Sequence, residues 1–124
     1  MARILLAEDE EALRAFVARA LAQDGHEVVA TADGGEALDV LTRDKGRFDL
    51  LLTDIRMPVM DGIALALAAA RDYPELMILL MTGYADQRER AHGLDALIHD
   101  VIANPFSLTD IRKAVNGALV ARGR

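Results

Sequence analysis

The feature that most constrains this chain is an alternation. Five short apolar runs, Ile4–Ala7, Glu27–Thr31, Phe48–Thr53, Leu76–Thr82 and Val101–Ala103, are separated by segments whose apolar residues recur with helical period. After the first run, Leu13, Phe16, Val17, Ala20 and Leu21 follow the i, i+3, i+4, i+7, i+8 pattern of one helix face, and Leu108, Ile111, Val115, Ala118 and Leu119 do the same near the end. Ala37, Val40 and Leu41 mark a second helix, and Ile63, Ala66, Leu67 and Ala70 a third. The segment Asp86–Gly93 is polar with almost no apolar stripe, so any helix there depends on its neighbours. Runs as continuously apolar as Leu50-Leu51-Leu52 and Met77–Met81 suit strands covered on both faces. Strict β–α alternation then calls for a doubly wound parallel sheet with right-handed crossovers.

Punctuation agrees with this division. Gly25, Gly46 and Pro74 fall between a helix and the next strand, and Asp9, Asp33, Asp61 and Ser107 each stand where a helix cap is wanted. The 124 residues suit one domain, 1–124, and the last helix runs so near Arg124 that no output domain is expected after it. No cysteine is present, which excludes disulfide staples, thiol catalysis and cysteine-held metals. No apolar run approaches the ~20 residues that span a bilayer, and the N-terminus lacks a cleavage pattern, so a cytoplasmic protein without membrane insertion is expected. A net charge of −6, with no basic cluster among the few aromatics, argues against direct nucleic-acid binding.

In open parallel sheets, ligands bind beyond the carboxyl ends of the strands, where strand order reverses. The first run ends in Glu8-Asp9, the third in Asp54, the fourth in Thr82 and the fifth in Asn104-Pro105. With the strand order 2-1-3-4-5, strands one and three are neighbours, which gathers three carboxylates at one edge. Each alone has an ordinary reading: an acid after a strand is often a helix cap, and Thr82 a polar strand end. Together they repel unless a cation neutralises them, and a hard divalent ion such as Mg²⁺ is the natural remedy. One carboxylate can then attack phosphorus and form an acyl phosphate.

The residues Leu5-Leu6-Ala7-Glu8-Asp9-Glu10, Asp54-Ile55-Arg56-Met57-Pro58-Val59-Met60-Asp61-Gly62, Met81-Thr82-Gly83 and Asn104-Pro105-Phe106 resemble, in order and spacing, the receiver domains of bacterial two-component response regulators. The stretch Met81–Pro105 resembles the CpdR branch of alphaproteobacterial single-domain receivers, members of which are linked to cell-cycle proteolysis by the ClpXP protease. The resemblance implies a flavodoxin-like (βα)5 fold, with Asp54 as phosphoacceptor. It implies a Mg²⁺ site made by Asp9, Asp54 and the backbone carbonyl of Arg56, with Glu8 acting at one remove. Thr82 is expected to hydrogen-bond the phosphoryl group, and the Asn104–Pro105 bond to be cis. The implied partners are a histidine kinase or histidine phosphotransfer protein and a downstream protein, including the ClpXP machinery.

Two departures stand out. Asn104 occupies the place of the family lysine, and Val101 that of the switching aromatic; only Lys45 and Lys113 are lysines, and neither follows a strand. Arg56, two residues past Asp54, and Tyr84, two past Thr82, are candidate modulators that could equally be surface residues. His26, His92 and His99 show no metal-ligand spacing, and Phe48 and Tyr73 read as packing residues. The leading expectation is a phosphorylation-controlled binding module that is no enzyme beyond its own phosphorylation and dephosphorylation. One alternative is a switch-impaired receiver that binds partners constitutively. A second is an aspartate-nucleophile phosphatase, against which Arg56 stands where a second acid is needed. A flavodoxin-like electron carrier would need a phosphate loop after strand one.

Overall fold

The structure is a computed structural model, and it describes residues 2–82, 94, 97–103 and 107–123. Along the chain lie β1 (Arg3–Ala7), α1 (Glu11–Gln23), β2 (Glu27–Thr31), α2 (Gly34–Arg43), β3 (Leu50–Asp54), α3 (Gly62–Asp72), β4 (Met77–Thr82), β5 (Asp100–Ala103) and α4 (Leu108–Arg122). The five strands pair in parallel in the order β2-β1-β3-β4-β5, as expected for the doubly wound flavodoxin-like sheet. The segment Asp86–Gly93, the Asn104–Pro105 bond, Tyr84 and His92 lie outside the described residues.

Alternating side chains of one strand feed two separate cores. Leu5, Ala7, Leu51, Ile78 and Leu80 point to the side covered by α2 and α3, meeting Ala37, Leu41, Leu65 and Ala69. Ile4, Leu6, Leu52, Leu79 and Met81 point to the other, meeting Val17 and Leu21 of α1 and Ile111 and Val115 of α4. The central strands are therefore apolar on both sides, which is why their sequences show runs in place of alternation. Each fully buried leucine contributes roughly 1.5–3 kcal/mol of transfer free energy, so this two-sided packing is the main support of the site described next.

Several details depart from the sequence reading. The first strand residue of β3 is Leu50, because the Phe48 N–H is taken by Gly46 O at 2.8 Å and its ring is buried beneath the Arg3 guanidinium, 4.2 Å from the ring centre. β4 begins at Met77, one residue late, because the Leu76 N–H closes a turn onto Tyr73 O. Phe16 is 54% exposed: it lies about 100° around α1 from Val17, on the flank of a face that Leu13, Val17, Ala20 and Leu21 already fill. In α3 the core face is Gly62, Leu65, Ala66 and Ala69, and Leu67 is exposed. That rotation is set by Gly62, whose close seat against the end of β3 turns the i, i+3, i+4, i+7 row beginning with it inward. Among the described residues, no helix is long and apolar enough to cross a membrane.

Candidate functional site at the carboxyl ends of β1 and β3

The register of β1 and β3 pairs Ala7 with Thr53, so the residues following them emerge side by side at one end of the sheet. Glu8, Asp9 and Asp54 meet there, each offering a carboxylate oxygen, and these oxygens all lie within 4.8 Å of one another. Glu8 is buried, Asp54 half-buried and Asp9 exposed. Thr82, at the end of β4, is buried, while Arg56 is exposed.

Local hydrogen bonds hold the acids in place. Glu8 Oε2 accepts from the Glu10 N–H at 3.0 Å, and the Glu8 N–H donates to Thr31 O at 3.0 Å. Thr31 in turn donates its hydroxyl to Leu6 O at 2.8 Å, tying β2 to β1 just before the acidic pair. Asp9 does not cap α1, contrary to expectation: the cap residue is Glu10, whose side chain makes no capping bond. The tie between Glu10 N–H and Glu8 moves the start of the helix one residue on. Asp33, Asp61 and Ser107 do cap, accepting from the N–H groups of Glu36, Ala64 and Asp110.

The loop after Asp54 is shaped by close backbone approaches. A Cβ on Gly62 would stand 2.0 Å from Asp54 O, and one on Gly34 would stand 2.2 Å from Met60 O. The Gly62 N–H donates to Ile55 O at 2.7 Å and the Gly34 N–H to Met60 O at 3.2 Å, so α3 and α2 both grip the loop. Between them Val59 takes a left-handed φ of 69° while 86% exposed, an uncommon conformation for a β-branched residue.

Crowding and burial alter the acids. Burial, with the Asp54 charge adding to it, pushes the Glu8 carboxyl up to about 8, against a lowering bond from the Glu10 amide. Asp54 is raised mainly by burial, and the nearby amides of Ile55 and Arg56 pull it back. Glu8 Oε1 is buried and has no hydrogen-bond partner among the described residues. A buried, unpartnered carboxylate oxygen beside two further carboxylates is a donor set for a small hard cation, and Mg²⁺ fits its all-oxygen chemistry.

Two contributors to this geometry were not singled out from the sequence. Arg14 Nη1 donates to Glu8 O at 3.0 Å and clamps the peptide between the buried and the exposed acid. The Thr53 hydroxyl donates to Asp54 O at 2.8 Å. An arginine beside the apolar Leu13 was a faint signal for the first; nothing in the strand pattern distinguished the second. Val101 lies in β5, half-buried against the α2/α3 core. Asn104 and Tyr84 lie outside the described residues.

The profile of the response regulator receiver domain family matches residues 4–116. The chain belongs to that family, and its fold is that of CheY-like receivers. It is 38% identical to the response regulator receiver protein CpdR of Brucella abortus, an alignment covering 98% of this chain and 99% of that protein. Among solved structures it is similar to a CheY-like receiver domain protein of Methanospirillum hungatei, with TM-score 0.89 and 28% identity over 99% of this chain and 97% of that one. It is also similar to TrrA of Thermotoga maritima, solved in complex with Mg²⁺ and BeF, with TM-score 0.83 and 26% identity over 96% of this chain and the whole of that one.

Proposed function

We propose that this chain is a stand-alone receiver of the CpdR type that accepts a phosphoryl group on Asp54 and, through that modification, controls the binding of a protein partner in the cytoplasm. The observation that carries the reading is the convergence of Glu8, Asp9 and Asp54 around a buried carboxylate oxygen without a hydrogen-bond partner. The match to the Brucella abortus CpdR, which covers 99% of that protein, supports the CpdR-type reading.

Asp9, Asp54 and the Arg56 carbonyl would hold Mg²⁺, with Glu8 acting through an intervening water. When bound, the ion supplies positive charge that keeps the carboxylates ionised and offsets the charge of the incoming phosphoryl oxygens. An Asp54 oxygen attacks phosphorus in line with the bond to the donor histidine nitrogen. The O–P bond forms as the P–N bond breaks, and its electron pair returns to the imidazole. Glu8 and Asp9 hold the pocket's geometry, Arg14 fixes the peptide between them, and the Thr82 hydroxyl donates to a phosphoryl oxygen. Gly62 keeps the Asp54 backbone seated so that the nucleophile meets the pocket in one orientation. The chain turns over no substrate but its own acyl phosphate. The donor is a histidine kinase or phosphotransfer protein, and the partner controlled includes the ClpXP protease machinery.

One observation favours a second reading, a receiver that binds constitutively: Asn104 and Val101 replace the lysine and the aromatic that ordinarily couple modification to shape. A beryllofluoride titration with Mg²⁺ separates the two, read by ¹⁵N amide shifts. Saturable shifts at Asp9, Asp54 and Thr82 that require Mg²⁺ are expected. Their absence would remove the phosphoacceptor reading, and shifts confined to the pocket would favour the constitutive one.

A further inference from the structure

The end of the sheet opposite Asp54 carries its own charge pattern. There, Arg3, Arg43, Lys45 and Arg47 line a surface cleft of about 450 Å³ together with a single acid, Asp44. The four bases come from the start of β1, the last turn of α2 and the loop into β3, and so converge from separated parts of a chain whose net charge is −6. Basic residues at a helix C-terminus complement its dipole, which accounts for Arg43 in the last turn of α2. It does not account for Arg3, nor for a cleft.

The charges here are unequally used. Arg3 is consumed by structure: it pairs with Glu27 and with Asp44 at 3.0 Å, donates to Arg47 O at 2.8 Å, and lies over the Phe48 ring. Asp44 is further approached by Arg43 at 3.5 Å. The side chains of Lys45 and Arg47 are exposed and make no ion pair among the described residues. The loop that carries them is held in a defined shape: Lys45 and Gly46 both have left-handed φ, 57° and 68°, and the amides of Lys45, Gly46 and Arg47 are bonded to Thr42 O, Leu41 O and Asp44 O. A lysine held left-handed is uncommon, and it fixes where the chain presents its two unpaired cations.

We propose that this cleft is a binding site for a small phosphate-bearing polyanion, held by Lys45, Arg47 and Arg43. Arg3 already holds one carboxylate in the cleft, that of Asp44 at 3.0 Å, which leaves Arg43, Lys45 and Arg47 exposed toward solvent. Its volume is in the range of small-molecule sites, and arginine forks match phosphate oxygens. Phe48 is buried with Arg3 over its ring, and the half-buried Tyr73 ring packs against Gly46, so neither ring is among the residues that line the cleft; the recognised element is the phosphate chain itself. The site is independent of Asp54 and places a second input at the far pole of the receiver.

The experiment titrates the full chain with inorganic tripolyphosphate, without Mg²⁺ and at constant ionic strength, reading ¹⁵N amide shifts. Saturating shifts limited to Arg3 and residues 43–47 are expected. A Lys45→Ala/Arg47→Ala variant should bind about tenfold or more weakly, as loss of charge-assisted hydrogen bonds implies. Its thermal midpoint should match the unaltered chain, since both side chains are exposed and unpaired, and Arg47→Gln alone provides a milder check. Non-saturating shifts, equal shifts with sulfate at matched ionic strength, or undiminished binding by the double variant would overturn the proposal. So would saturation by hexaglutamate but not tripolyphosphate, which would make the cleft a dock for acidic protein segments.

Discussion

Glu8 and Asp54 sit three residues or fewer from positions that the apolar pattern made obvious, yet what sets their chemistry is contact with groups far away in sequence. The Asp54 carbonyl leaves no room for a side chain at position 62. Gly62→Ala is therefore expected to lower stability by roughly 1–3 kcal/mol, as overpacking does. The loop should shift as well, so phosphorylation by acetyl phosphate should slow; chemical denaturation and labelling rate check the two effects separately. The acids themselves were legible, because three carboxylates at strand ends form a pattern that composition alone does not produce. The Arg14 clamp on Glu8 O was not, since an arginine in the first turn of a helix ordinarily extends into solvent. Asp9 stands where the sequence wants a cap, and only the bond from Glu10 N–H to Glu8, which passes the cap position to Glu10, decides otherwise.

At the level of elements, all five strands were legible from runs such as Leu50–Leu52, whose two-sided burial removes any alternation. What escaped was rotation. Ile63, Ala66, Leu67 and Ala70 form as good a stripe as Gly62, Leu65, Ala66 and Ala69, and the choice is made by the backbone contact at Gly62, which no hydrophobic period encodes. α4 begins with a reciprocal box, in which the Ser107 hydroxyl accepts from Asp110 N–H at 3.1 Å and the Asp110 carboxylate accepts from Ser107 N–H at 2.9 Å. Ser107→Ala should lower stability by about 1 kcal/mol, measured by urea unfolding, with little change in labelling at Asp54. Asn104→Lys acts on the coupling between elements. A phosphoryl group shifts an equilibrium only through contacts that differ between the two states, and an ammonium adds such a contact. The expected outcome is larger beryllofluoride-induced amide shifts over β5 and α4 in the lysine variant than in this sequence. Equal shifts in both would mean that Asn104 costs nothing in coupling.

Across the whole molecule, Glu8, Asp9 and Asp54 meet at one end of the strands, while at the other Arg3, Arg43, Lys45 and Arg47 stand among acids that partner Arg3, namely Glu27, Asp44 and Asp49. Without a cation the acidic end is a source of instability with a definite pH dependence. Glu8 titrates at 4.5 when unperturbed and at about 8 in the fold, so the folded chain keeps a proton that the unfolded chain releases between those values. The associated stability is complete below the unfolded value and is lost as pH rises through the folded one. In EDTA, the thermal midpoint should accordingly fall between about pH 5 and about pH 8, and saturating Mg²⁺ should restore it at the upper pH. Glu8→Gln should flatten the profile in EDTA. A midpoint indifferent to both pH and Mg²⁺ would mean that the acids do not crowd as the structure has them.

The central claim is that this crowded end of the sheet exists to make Asp54 a phosphoryl acceptor, and the most direct measurement is intact-mass analysis after incubation with acetyl phosphate. With Mg²⁺ the unaltered chain should gain a single phosphoryl group that hydroxylamine removes and that maps to Asp54. The gain should disappear in EDTA and in Asp54→Asn, and fall sharply in Asp9→Asn. Undiminished labelling of Asp54→Asn, or no labelling of a folded, Mg²⁺-saturated chain, would contradict the account.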